Sequence, residues 1–127
     1  MTFRILDANF NRATEAARVI EEYCRFCLDD TDLAGRLKSL RHRIREALDL
    51  VARPADRLAR RDTPGDVGTE LGTASEASRR DAPDVVTASF RRLAEALRCL
   101  EEYAKPLDAE ASRQLEGMRY ATYELEK

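Results

Sequence analysis

The chain has 127 residues, 22 basic against 24 acidic side chains and a formal net charge of −2, with 43% hydrophobic residues and no Trp. That length holds one domain with one modest core and excludes a full eight-stranded barrel or a dinucleotide fold with its substrate domain. The near-balanced charge gives no field that argues for nucleic acid, and no apolar run approaches the roughly 20 residues of a membrane span.

A first helix is predicted to start near Asp7 or Asn9, either of which can cap it. Phe10, Ala13, Ala17, Ile20, Cys24, Cys27 and Leu28 then recur at spacings of three and four, one stripe on a 3.6-residue helix. Asp29, Asp30, Thr31 and Asp32 end it and supply the next cap. A second helix carries Leu33, Leu37, Leu40, Ile44, Leu48 and Val51 until Pro54 interrupts it. A segment of about twenty residues follows, where helix connections in bundles usually take roughly 2–8. A third helix, opened by Pro83-Asp84 and closed by Pro106, has the stripe Val86, Phe90, Leu93, Leu97, Leu100 and Ala104. The last begins at about Asp108 and carries Leu115, Met118, Thr122 and Leu125. No segment alternates like a strand, so the expected fold is all-α, an antiparallel four-helix bundle in a single domain, 1–127.

The chain repeats itself. Residues 8–25 align without a gap on residues 88–105, and nine of the 18 positions match, including Arg12/Arg92, Glu15/Glu95, Arg18/Arg98, Glu21/Glu101, Glu22/Glu102 and Tyr23/Tyr103. After a two-residue adjustment, Leu37, Leu40, Arg41 and His42 correspond to Leu115, Met118, Arg119 and Tyr120. The chain therefore reads as a duplicated helical hairpin, its halves about 5–52 and 84–127. The retained charges fit ordinary helix-surface pairs such as Arg18–Glu22, and they also fit ligand binding. Arg12 and Arg92 are expected within about a turn of a helix start, where anion sites gather.

Among the 22 basic residues 19 are Arg; codon preference is the plainer reading of that bias, and the sharper one is that some of these Arg grip phosphate or carboxylate bidentately. The three cysteines, Cys24, Cys27 and Cys99, are an odd count with no signal peptide in view, which points to free thiols in a reducing, cytoplasmic compartment. Cys24 and Cys27 have C-x-x-C spacing but no second pair of ligands, so small apolar residues in a packing seam are the expectation. The lone His42 lies between Arg41 and Arg43 with no nucleophile in register.

The connecting loop, about 61–74, holds three of the five glycines and reads Arg-Asp-Thr-Pro-Gly-Asp-Val-Gly-Thr over residues 61–69. Gly65, Gly68 and Gly72 permit a backbone nest that aims N–H groups at an anion. Asp62 and Asp66 are candidate Mg²⁺ ligands, and Arg61 a candidate for neutralising phosphate charge. The alternative is a plain turn at Pro64-Gly65 followed by Asx turns. There is no Walker A motif.

The elements RILDANFNRA, LKSLRHRIREAL, RDTPGDVGTE, FRRLAEALRCLEEYAK and MRYATYELE, in that order across nearly the whole chain, resemble the small hydroxymethylpyrimidine-phosphate kinase family of thiamine biosynthesis. That family stands alone or is fused before a thiamine phosphate synthase. The resemblance implies phosphorylation of a pyrimidine phosphate substrate to its diphosphate with ATP and Mg²⁺ as cofactors. It assigns catalysis to Arg61, Asp62 and Asp66, with Asp62 and Asp66 holding Mg²⁺. Substrate and phosphate binding fall on Asp7, Asn9, Arg41, His42, Thr63, Gly65, Gly68, Thr69, Arg98, Tyr103, Arg119 and Tyr120. One departure is Ser89, where Asn is expected to mirror Asn9, so a polar contact there is shortened or lost. Two other readings stay open: a non-catalytic binding or docking module that serves a thiamine phosphate synthase, and an ATP-independent helical enzyme of the chorismate mutase kind. No nucleic-acid or membrane partner is expected, and a homodimer is compatible with so small a helical domain.

Overall fold

A computed structural model describes residues 2–69, 71–72 and 77–127; residues 70, 73 and 74 of the predicted functional loop lie outside the described residues. Among those described, the chain is all-helical and has no strand: α1 (Thr2–Phe26), α2 (Thr31–Val51), α3 (Pro54–Ala59), α4 (Ala82–Ala104) and α5 (Ala109–Glu126). None of these helices is long and apolar enough to cross a membrane.

Aspartates mark three of the helix starts. Asp30 accepts from the Leu33 N–H at 2.9 Å, Asp81 from the Asp84 N–H at 2.9 Å, and Asp108 from the N–H groups of Glu110 and Ala111 at 2.9 and 3.0 Å. Each satisfies a first-turn donor that has no partner inside the helix. Between α1 and α2 the chain reverses at Asp29, which adopts the left-handed backbone (φ 51°) that Asp tolerates better than most residues.

The start of α1 differs from the expected one. The helix begins at Thr2, and Asp7 and Asn9 lie inside it, each only 6% exposed. Neither caps: Asp7 is held by an arginine from beyond α3, and the Asn9 amide donates to the Ile5 carbonyl at 3.0 Å. Phe3 and Leu6 pack on the core and extend the apolar stripe upstream, which is why the helix runs past the polar signals. Arg12 is thus three turns into α1 and Arg92 well inside α4, so neither sits at a helix start. At the other end α1 stops at Phe26, leaving Cys27 and Leu28 exposed instead of in the stripe.

Pro54 also does more than interrupt. It occupies the first turn of α3, where its missing N–H costs nothing, so the predicted connection carries a helix of its own. Arg57 fastens α3 to α1 and α2. It is 4% exposed, donates to the Ala52 carbonyl at 2.6 Å, and lies over the Phe10 ring at 4.7 Å.

α1 packs against α2 and α4, α5 packs against α4 and α2, and α3 lies on α1. The predicted stripes meet in one core: Leu37, Leu40, Ile44 and Leu48 from α2 face Ala13, Ala17 and Ile20 of α1, with Leu93, Leu97 and Leu100 of α4 and Leu115 and Met118 of α5. Leu33, Val51, Val86 and Leu125 form its rim. Truncating a fully buried leucine removes transfer energy and leaves a cavity, so Leu97→Ala should lower the unfolding free energy by about 2–5 kcal/mol. Asp108→Ala, which removes only a cap, should cost about 1 kcal/mol. Urea unfolding followed by helical circular dichroism ranks the two, and equal costs would contradict this packing.

Candidate functional site

Two buried carboxylates organise the polar interior. Glu21 of α1 is 5% exposed and takes Arg41 of α2 at 2.8 Å; Glu101 of α4 is 1% exposed and takes Arg119 of α5 at 3.1 Å. The repeat thus builds one ion pair twice, each joining the two helices of its half. Around Glu101 the network is denser. Arg98 reaches Glu101 at 2.7 Å and Glu102 at 3.0 Å, and Arg119 also lies over the Tyr120 ring at 4.9 Å. Hydrogen bonding with Tyr123 first, and then Glu101, holds the Arg119 guanidinium charged above its ordinary range.

A second cluster lies where the loop returns to α1. Arg61 grips Asp7 with both faces of its fork, Nε to Oδ2 at 2.7 Å and Nη2 to Oδ1 at 2.9 Å. Those hydrogen bonds push the Arg61 guanidinium above its ordinary value. Around the pair is a hollow of about 440 Å³, lined on the helix side by Arg4, Asn9 and Arg12 and on the loop side by Asp62, Thr63 and Asp66. Arg4 donates to the Asp62 carbonyl at 3.4 Å. Three arginines therefore face three aspartates, and the hollow is charge-balanced.

The loop does not form the expected anion nest. The Gly65 N–H donates to Asp62 Oδ1 at 2.9 Å and the Gly68 N–H to Asp66 Oδ1 at 2.8 Å, so the aspartates themselves take up the loop donors. The Asx-turn alternative is the one that forms. No described glycine has a positive φ. What Gly65 supplies is space, since a β-carbon there would collide with the Asp62 carboxylate. Asp62 and Asp66 each keep one oxygen outside these turns, and among the described residues no three His, Cys, Asp or Glu side chains converge as a metal cage.

Of the residues singled out from sequence, Asp7, Asn9, Arg61, Asp62, Thr63 and Asp66 come together in the hollow. Gly65, Gly68 and Thr69 shape the turn beside it, Thr69 through a hydroxyl bond to the Asp66 carbonyl at 3.0 Å. Arg41, Arg98 and Arg119 are committed to the buried glutamates. His42, Tyr103 and Tyr120 are exposed on α2, α4 and α5. Arg4 was missed because the helix was expected to begin after it; its spacing of three from Asp7 puts both on one helical face. The three cysteines are free, and burial pushes the Cys24 thiol up.

A family profile described as the ThiD2 family matches residues 4–127. A thiamine-phosphate synthase of Rhodopirellula baltica is 49% identical over 120 residues, 94% of this chain and 32% of that protein. Thiamine-phosphate synthases of Nostoc punctiforme and Synechocystis sp. are each 45% identical, covering 99% and 97% of this chain and 34% of theirs. The chain thus spans about a third of the length of these relatives. No solved structure matches it. These names correct the expectation of an ATP-dependent pyrimidine-phosphate kinase, because the relatives are synthases. The local geometry gives a physical reason for the error: a loop rich in Gly, Asp and Arg looks like a phosphate cradle, yet here its donors and acceptors bond to one another.

Removing one partner of a buried ion pair strands the other. Glu101→Gln should therefore destabilise the protein by roughly 3–5 kcal/mol, while joint replacement of Glu101 and Arg119 by Leu and Met should cost far less. Chemical unfolding of the single and double variants distinguishes the outcomes; a double variant that loses more than Glu101→Gln would overturn the buried-pair reading.

Proposed function

The chain belongs to the ThiD2 family, and from that premise we propose that it is a non-catalytic helical module that docks on a thiamine-phosphate synthase and serves it in thiamine biosynthesis. One observation carries the reading: 94–99% of the chain matches only 32–34% of each synthase described above, as one domain matches part of a longer protein. We read its fold as two copies of a helical hairpin closed into a four-helix bundle, with the Gly-rich loop between the halves.

The surface supports docking more than phosphoryl chemistry. The guanidiniums of Arg61, Arg41 and Arg119 are already engaged by Asp7, Glu21 and Glu101. By contrast, α5 presents Tyr120 and Tyr123 at a spacing of three, 54% and 46% exposed. Leu107, just before α5, is 48% exposed as well. Half-exposed tyrosines bring a large apolar area together with a polar tip, the composition that protein interfaces favour. The synthase portion is the partner expected on this face.

Isothermal titration of the chain against the part of the Rhodopirellula baltica synthase outside the matched residues tests the reading. Saturable binding is expected, with the Kd raised at least about tenfold by joint Tyr120→Glu and Tyr123→Glu substitution. Absence of binding by the unsubstituted chain would remove the docking role.

A further inference from the structure

A groove of about 630 Å³ runs along the seam of α1 and α4, sharing only Asn9 and Arg12 with the hollow at the loop. Each residue of one wall has its repeat counterpart in the other: Arg12 and Arg92, Glu15 and Glu95, Ala16 and Ala96, Asn9 and Ser89, Val19 and Cys99. Its size falls within the roughly 300–1,000 Å³ of small-molecule sites.

Its charges are treated differently from the rest. Elsewhere the repeated charged residues are paired, as in Arg18–Glu22, Arg98–Glu102, Glu21–Arg41 and Glu101–Arg119. Among the described residues, none of Arg12, Glu15, Arg92 and Glu95 takes part in an ion pair. Two guanidiniums and two carboxylates thus line one groove without neutralising each other.

The repeat is also broken there. In the first half Asn9 Oδ1 accepts a long hydrogen bond from Arg12, at 3.5 Å. In the second half the shorter Ser89 makes no such bond, as its shorter side chain leads one to expect. Ser89 is only 6% exposed, lines the groove, and has no side-chain hydrogen-bond partner among the described residues; Arg92 is equally unpartnered. The Ser89 hydroxyl and the exposed Arg92 guanidinium, three residues apart on one helical face, are two donors without a protein acceptor that open on the groove.

We propose that this groove binds a small molecule carrying an oxyanion and an amino group on a compact apolar body. Ser89 and Arg92 donate to the oxyanion, Glu15 and Glu95 accept from the amino group, and the small side chains of Ala16 and Ala96 leave room for the body between them. Carboxylate and phosphate oxygens suit the same donors. A ligand that carries both signs of charge engages both pairs of groove charges, so it is expected to bind more tightly than a ligand of one sign. The site is independent of the docking role: a chain that docks yet fails the test below loses only the groove.

Amide NMR titration of the full chain tests this with 4-(aminomethyl)benzoate and its phosphonate analogue, beside benzoate and benzylamine. One of the two zwitterions should give saturable shifts at residues 12–19 and 89–99, and the tighter one identifies the oxyanion. Benzoate and benzylamine should each bind about tenfold more weakly or less. Arg92→Gln should raise the Kd about tenfold, the loss of one charge-assisted hydrogen bond, whereas Arg113→Gln, near the start of α5 and outside the groove lining, should leave it unchanged. Arg92 is exposed, so its variant should keep the helical spectrum, and Arg92→Lys should recover part of the affinity. Unsaturable shifts from both zwitterions, unchanged binding by Arg92→Gln, or shifts confined to residues 4–8 and 61–66 would overturn the assignment.

Discussion

A carboxylate placed in the interior of a helical protein has to be answered, and here that necessity is met twice in the same way. Glu21 and Glu101 lie among leucines and alanines on α1 and α4, and each draws an arginine in from the neighbouring helix. Because either charge alone would be costly to bury, the pair sets how each hairpin closes more strictly than apolar contact does. Apolar positions vary between the halves, Ala17 against Leu97 and Ile20 against Leu100, while these two charges do not. α3 and the loop are fastened elsewhere on α1, through Arg57 over Phe10 and Arg61 on Asp7.

The loop follows a related logic at the surface. Asp62 and Asp66 close their own turns, Arg57 ties α3 beneath Phe10, and Arg61 returns the chain to Asp7. A segment that composition offers as a ligand cradle thereby becomes a clasp. One ion pair, Arg61 with Asp7, closes the clasp, while the Asp62 and Asp66 carboxylates are taken up by loop N–H groups. Half-exposed aromatic surface lies instead on α5, and the seam of α1 and α4 holds a groove whose two arginines and two glutamates form no ion pairs among the described residues.

Much of this was legible before any coordinates. The stripes of α2, α4 and α5 became core and rim residues, Asp30 was among the four residues expected to supply the second cap, and Asp108 marked the expected start of the last helix, because the groups these aspartates bond are their neighbours in sequence. The same local reading failed for Asp7 and Asn9. Both look like caps, but Asp7 answers an arginine 54 residues away, and nothing within a helical turn reveals that. Arg41, Arg98 and Arg119 were read as phosphate ligands on their type and on family resemblance. Their partners are glutamates one or more helical turns or a whole helix away, and arginine recognises a buried carboxylate by the same fork that it offers to phosphate.

Ser89 shows where the two kinds of information meet. The internal repeat marked it as a departure from Asn9 and anticipated a lost contact. Only the packing of α1 on α4 revealed that the loss leaves a hydroxyl and a guanidinium unpartnered inside a groove. Helix periodicity and the internal repeat belonged to the sequence alone, since each depends on neighbours within a few residues or on a match visible by alignment. Which charges are spent inside the protein, and which stay available to a ligand or partner, was decided by tertiary structure. Charge pairing depends on distance in space, and in this fold the decisive partners lie on different helices.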